Sequence, residues 1–109
     1  MSYLGRVFEA SEDENREAIR REVRRRGPFR SVLDLGCEDG RHTVPLGEAA
    51  QAERVLGVEL LPHLAEQARV RGIEVLEADL EDPLPLPDGS FDLVHANQVI
   101  EHLKHTVER

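Results

Sequence analysis

The sequence predicts an α/β domain built on an open parallel sheet, and three observations predict it. Short apolar runs at 31–35, 54–59, 73–78 and 91–95 alternate with stretches of helical periodicity, the pattern of strands joined by crossovers. The first run, Val32-Leu33-Asp34-Leu35, breaks into Gly36-Cys37-Glu38-Asp39-Gly40, a turn with two glycines and two acids, and a helical stretch follows directly. Strand, glycine turn and helix is how such a sheet opens a ligand crevice outside the carboxyl ends of its strands. The glycines let backbone approach a ligand where a Cβ would collide. Finally, acids recur at or just past the carboxyl ends of the next two runs, as Glu59 and Asp79.

Each element has its own warrant. Residues 1–10 form a mixed leader whose Tyr3, Leu4, Val7 and Phe8 are apolar enough to pack on something. Ser11 with Glu14 three places on is a capping box for a helix from Glu12 to Arg26. Its apolar stripe (Ala18, Ile19, Val23) is thin, which predicts a surface position, and Gly27-Pro28 ends it. A strand from Ser31 to Leu35 leads into a helix from Arg41 to Gln51. Arg54 to Glu59 is the second strand, and Pro62 suits the first turn of a helix reaching Arg71, with Leu64, Ala65 and Ala68 inward. Ile73 to Ala78 is the third strand. The prolines of 83–87 exclude helix or central strand and predict a loop with a tight turn. Phe91 to His95 is the fourth strand, and Asn97 caps a last helix bearing Val99, Ile100, Leu103 and Val107 on one face. This connectivity demands right-handed crossovers and one parallel sheet.

The bulk properties narrow the function. At 109 residues there is room for one small domain, and a formal charge of −8 disfavours a nucleic-acid partner, since phosphate binding wants a basic face. The cluster of Arg20, Arg21, Arg24, Arg25 and Arg26 closes a helix whose first turn is acidic (Glu12, Asp13, Glu14), which complements the helix dipole. A single cysteine gives neither an internal disulfide nor zinc spacing. With no apolar run long enough to span a bilayer and a polar N-terminus, a soluble cytoplasmic protein is expected.

The strand ends suit a nucleoside. A carboxylate there can accept both hydroxyls of a ribose, a second can accept from an exocyclic amine, and bare turn backbone can take the remaining polar part. Gly36-x-x-x-Gly40 departs from the dinucleotide fingerprint, because Glu38 and Arg41 stand where later glycines belong, and no Lys followed by Ser or Thr makes a P-loop. Acids at 38 and 39 would repel a pyrophosphate. A nucleoside without phosphate and with positive charge fits better.

These residues carry a resemblance. VLDLGCEDG (32–40) resembles motif I of class I S-adenosylmethionine-dependent methyltransferases. LGVELLPHLAEQARVRGIEVLEADLEDPLPLPDGSFDLVHANQVIEHL resembles the stretch that follows in their type 11, ubiquinone/menaquinone-biosynthesis-like branch, so the match spans residues 30–105. The resemblance implies a Rossmann-like doubly wound parallel sheet of strand order 3-2-1-4, truncated before the family's strands five to seven. It implies a leader and helix at 1–29 and a cofactor-binding half-domain at 30–109. The implied cofactor is S-adenosyl-L-methionine, with S-adenosyl-L-homocysteine as product and methyl transfer by direct displacement to an acceptor the sequence does not name. Asp34, Gly36 and Gly40, with backbone at Cys37, would hold the methionine portion. Glu59, with Leu60 beside it, would hold the ribose hydroxyls, Asp79 the adenine amine and the Leu80 amide the ring. Asn97 would line the methyl-transfer side. No general base is apparent, and Asn97 and His102 are the only catalytic candidates. Glu38 is a departure, standing where many members have glycine.

Blander readings stand beside these. Asp34 could merely satisfy nearby backbone, and Glu59 or Asp79 alone could be surface acids. Cys37 reads as a small packed residue, His42, His63 and His105 as solvated helix positions, and His95 as a strand residue without a visible partner. Glu101-His102 is read without a metal. In the resembling small-RNA 3′-end methyltransferases a Glu-x-x-Glu-His helix binds a divalent ion, but Gln98 replaces the first acid here. Three functions compete: a methyltransferase domain, a non-catalytic S-adenosylmethionine-binding module that needs a partner, and another nucleotide-binding α/β domain such as an NAD-dependent one. The fourth strand, apolar yet without a family strand five, is expected to be an open edge through which two copies pair as a homodimer.

Overall fold

Parallel pairing holds the sheet together in a single register. The structure is a computed structural model; it describes the backbone of residues 7–9, 13–87 and 89–96 and the side chains of 16–87 and 89–96. The elements are β1 (Val7–Glu9), α1 (Asp13–Arg26), β2 (Ser31–Leu35), α2 (Thr43–Ala50), β3 (Arg54–Glu59), α3 (Pro62–Val70), β4 (Glu74–Glu77) and β5 (Leu93–Ala96). The five strands lie in the order β1-β5-β2-β3-β4, each pair parallel. The expected 3-2-1-4 order is the β4-β3-β2-β5 part of this sheet.

The alternation of a strand sends neighbouring residues to opposite faces, and here it sorts two cores. Leu33, Leu35, Leu56, Val58 and Val94 share one face with Leu80 and Phe91, and Leu84 and Leu86 of the proline-bearing loop pack against them. Val32 and Leu93 share the other with Leu46, Ala49 and Ala50 of α2 and with Val23 and Phe29. Val23 is fully buried, so the thin stripe of α1 is a working core contact and not a surface decoration. Ile19 packs beside it, and the outer side of α1 carries ion pairs: Arg20 and Arg24 with Glu17, and Arg25 and Arg26 with Glu22.

Element ends differ from expectation by local chemistry. The helix expected from Arg41 starts at Thr43, because Asp39 accepts the Arg41 amide and the Gly40 carbonyl takes Thr43 and Val44. It stops at Gln51, which adopts a left-handed φ of 56° and returns its amide to Glu48 and Gly47. The third strand contracts to Glu74–Glu77, since Ile73 turns away to pack on Cys37 and Ala68. The fourth shifts to Leu93–Ala96, leaving Phe91 buried ahead of it.

One expectation is overturned. The edge of β5, expected to be open, carries β1 in parallel, with Val7 beside Val94, Phe8 beside His95 and Glu9 beside Ala96. The backbone row that was to pair two copies through this strand is already hydrogen-bonded within the chain, so the homodimer loses its premise. The helix expected from Asn97, with Glu101 and His102, lies outside the described residues.

Candidate functional site

The strand tips converge. β2 ends into Gly36, β3 ends on Glu59, and Asp79 and Leu80 follow β4; Gly36, Glu59, Asp79 and Leu80, with Val58, Leu60, Ala78 and Glu81, line one cleft of about 230 Å³. A larger cavity of about 500 Å³ lies between α2 and the Arg71–Glu74 turn, beside the start of β3. We assign the site to the smaller cleft. Ligands of a parallel sheet bind outside the carboxyl ends of the strands, and only there do the predicted acids meet.

Glu59 is the keystone of this cleft. Its carboxylate is buried, and Oε1 accepts the Glu38 amide at 2.8 Å while Oε2 accepts the Leu61 amide at 3.1 Å. A carboxylate offers about four lone-pair sites, so each oxygen keeps one for a further donor. A vicinal diol is the natural partner, supplying one hydroxyl per oxygen. Leu60 stands 55% exposed on the rim, an apolar surface beside this acid. Asp79 accepts the Glu81 amide through Oδ1 at 2.9 Å, and its Oδ2 has no partner among the described residues, leaving an acceptor at the cleft wall.

The glycine turn is positioned by backbone. Gly36 and Cys37 both donate to the Val58 carbonyl, at 2.8 and 3.0 Å, which ties the turn to β3. Gly36 has φ 79°, a left-handed conformation that glycine adopts without strain, and it lines the cleft. Gly40, with φ 85°, is left-handed too and answers to a second demand as well. A Cβ there would come within 2.5 Å of Ile73 Cδ1 and 3.1 Å of the Ala68 Cβ, so its bareness lets α3 close on the turn. Gly40 is buried and lies outside the cleft lining. Glu38 takes φ 55° without being glycine, with its side chain exposed, and this conformation accompanies the amide's bond to Glu59.

Cys37 is buried under Gly57, where a Cβ would approach its Sγ to 2.5 Å. Burial, reinforced by Asp34 and Glu59, pushes its thiol up to about 12. The packed reading of this residue therefore describes its side chain. Its backbone amide is already given to Val58, and its carbonyl accepts from Gly40.

Asp34 behaves differently from the cleft acids. It is buried on the helix face of the sheet, with Oδ2 accepting the Thr43 hydroxyl at 2.6 Å and Oδ1 held 2.7 Å from His95 Nδ1. His95, expected to lack a partner, has one. The signal was present in the alternation: Asp34 and His95 sit opposite one another in the β2–β5 register, each flanked by apolar residues facing the other way. Reading it required the register of the two strands. Asn97 and His102 lie outside the described residues, and no cluster of metal-ligating side chains occurs among the described ones.

Among the described residues the glycine turn, the half-used Glu59 carboxylate and the Asp79 Oδ2 without a partner fit an adenosyl group lacking a phosphate, and the acidic surroundings favour a cation. Comparison with known proteins gives the same direction. The family described as "Methyltransferase domain" matches residues 33–109. The ribosomal protein L11 methyltransferase of Burkholderia vietnamiensis is 39% identical over 79 residues, covering 71% of this chain and 26% of that protein. An S-adenosylmethionine-dependent methyltransferase from Mesorhizobium loti superposes with TM-score 0.60 at 34% identity, over 73% of this chain and 37% of that one. The structure of CalS10 with bound S-adenosylmethionine, an amino pentose methyltransferase from Micromonospora echinaspora, superposes with TM-score 0.59 at 26% identity, over 76% of this chain and 35% of that one. The chain spans less than a third of the length of the curated relatives it matches.

Proposed function

Because the chain belongs to the S-adenosylmethionine-dependent methyltransferase domain family, we propose that it forms the cofactor-binding portion of an enzyme that methylates an acceptor by direct displacement. The observation that carries this reading is the meeting of Gly36, Glu59 and Asp79 in one cleft. Glu59 would take the ribose hydroxyls on its two remaining lone pairs, Asp79 the adenine amine, and Leu80 the ring. Leu60 would shield the sugar edge. Gly36 would let the chain pass close to the methionine portion, with Asn97 on the methyl-transfer side. Asp34, already bonded twice, and Gly40, packed on α3, would act through the shape of the turn.

When bound, the cofactor supplies the activated methyl group. The protein's own contribution is alignment, which in well-oriented systems is worth up to roughly 7–11 kcal/mol. The ubiquinone/menaquinone-biosynthesis-like branch is supported by Ala78-Asp79-Leu80 and by the Phe91-Asp92-Leu93-Val94 step after the loop. A cytoplasmic setting is supported by a single, buried, free cysteine, and no helix among the described residues is long and apolar enough to cross a membrane. Calorimetric titration with S-adenosylhomocysteine against NAD tests the reading: S-adenosylhomocysteine should bind and NAD should not. Binding of NAD alone would overturn it.

A second reading, a binding module that needs a partner for catalysis, uses the same cleft of Gly36, Glu59 and Asp79 for the cofactor alone. Transfer of tritiated methyl into a metabolite extract by the chain alone would exclude it.

A further inference from the structure

We infer that His95 is a positioning residue for the cofactor turn, acting through Asp34. The inference rests on the methyltransferase reading above and adds to it a residue on the far face of the sheet from the cleft.

The geometry is a three-element clasp. Asp34 is the last inward-facing residue of β2 on the helix side, one residue short of the end of the strand and two before Gly36. Its Oδ2 holds Thr43, the first residue of α2, at 2.6 Å. Every residue of the turn from Leu35 to His42 therefore lies between two side chains joined by a short bond. The Thr43 amide also reaches back to the Gly40 carbonyl at 3.1 Å, so the far end of the turn is fixed twice. The Oδ1 of Asp34 is held by His95 Nδ1 at 2.7 Å, which ties the clasp to β5 just before that strand ends at Ala96.

Burial gives this arrangement its force. Asp34 is 3% exposed, Thr43 0% and His95 5%, so water cannot replace a lost partner. A carboxylate bonded at both oxygens by groups from two other elements has one orientation; with His95 gone it would keep a single tether and rotate about it. Such motion reaches the turn through Thr43, whose hydroxyl Asp34 holds and whose amide is given to the Gly40 carbonyl. His95 faces Asp34 across the β2–β5 pairing, and Arg16, Arg20 and His42 with it line the narrow crevice between α1 and α2. A hydrogen-bonded network of this kind is worth more than its separate parts when it is complete.

The test is S-adenosylhomocysteine titration of the chain by calorimetry, with thermal unfolding measured in parallel. His95→Asn keeps a donor close to the Nδ1 position, and His95→Leu removes it. His95→Leu should weaken binding about tenfold, the scale expected for contacting groups that act as one unit, and His95→Asn should restore most of that loss. Combining His95→Leu with Asp34→Asn should cost less than the sum of the two. Should His95→Leu fail to fold, nitrogen-15 spectra of the wild-type imidazole decide: the Nδ1 signal of His95 should move as S-adenosylhomocysteine is added. Equal affinity in wild type and His95→Leu, or binding that leaves the imidazole signal unmoved, would overturn the inference. Loss of melting temperature without loss of affinity would do the same, since that marks a purely structural residue. A wild-type chain that does not bind S-adenosylhomocysteine at all refutes the methyltransferase reading instead.

Discussion

Oε1 of Glu59, at the tip of β3, accepts the backbone amide of Glu38, in the turn after β2, at 2.8 Å. The acid proposed to meet the ribose thus also braces the turn proposed to meet the methionine portion, and two parts of one crevice share a single carboxylate.

Replacing that carboxylate should therefore hurt twice. Glu59→Ala removes the diol acceptor and leaves the Glu38 and Leu61 amides unpartnered. We expect S-adenosylhomocysteine affinity to fall by about 1–3 kcal/mol, read by calorimetry with circular dichroism confirming the fold. Glu59→Gln, which keeps one acceptor oxygen but turns a donor toward an amide, should fall between. Unchanged affinity in both variants removes Glu59 from the site.

Glu38 bears the backbone strain of the same contact. Left-handed backbone costs an L residue roughly 1–2 kcal/mol, whereas for glycine the main cost is a smaller entropy loss on folding. With φ at 55° and an exposed side chain, Glu38→Gly should stabilise the fold by about 1 kcal/mol, seen as a higher urea midpoint at constant slope. A lower midpoint would mean that the side chain makes a contact that outweighs the strain.

The buried thiol gives a pH signature. Cys37 is pushed up from 9.0 to about 12 by burial and by the nearby acids Asp34 and Glu59. Above pH 9 the unfolded chain gives up this proton and the folded one keeps it, so the unfolded state binds fewer protons and stability must fall as pH rises. The loss runs from pH 9 to about 12 at up to roughly 1.4 kcal/mol per unit, and no such slope arises from this group below pH 9. Cys37→Ala should flatten that limb of a stability curve recorded by denaturant titration. At about pH 8, below both values, alkylation of the native chain by iodoacetamide should be far slower than in urea.

The covered edge makes a prediction of its own. Deleting residues 1–10 removes β1 and strips the partner from Val94, His95 and Ala96. A bare edge strand is a template for pairing. The shortened chain should self-associate in light scattering at concentrations where the full chain scatters as a smaller species. Identical scattering of the two would mean that β1 does not guard this edge.

Much of this architecture was legible because its signals are local. Hydrophobic runs, Pro62 at a helix start and the Gly36–Gly40 turn each act over a few residues, and the strand and helix order follows from them. Glu59 and Asp79 were legible as strand-end acids, since their roles depend on position along one strand. What escaped depends on how strands align and on which distant segment joins the edge. The resemblance already implied β5 beside β2, but the His95–Asp34 pair needs their residue register, which nothing in Phe91-Asp92-Leu93-Val94-His95 reveals. The Val7–Glu9 strand is three residues long and pairs with the far end of the sequence, beyond any local pattern. Gly40 carried a glycine signal that its left-handed φ of 85° answers within the turn, but its second reason, a Cβ that would meet Ile73 across the fold, could not be read there.

Val7–Glu9 and Leu93–Ala96 run side by side although nearly the whole described chain separates them. The entropy of closing a loop of that length is lost before the pairing gives anything back. During synthesis the first-made of these strands must wait for the last, while β2 and β3 can already zip together on the nascent polypeptide. Its docking is thus a timer: the border of the sheet is sealed only when the translated segment has reached the strand that carries His95.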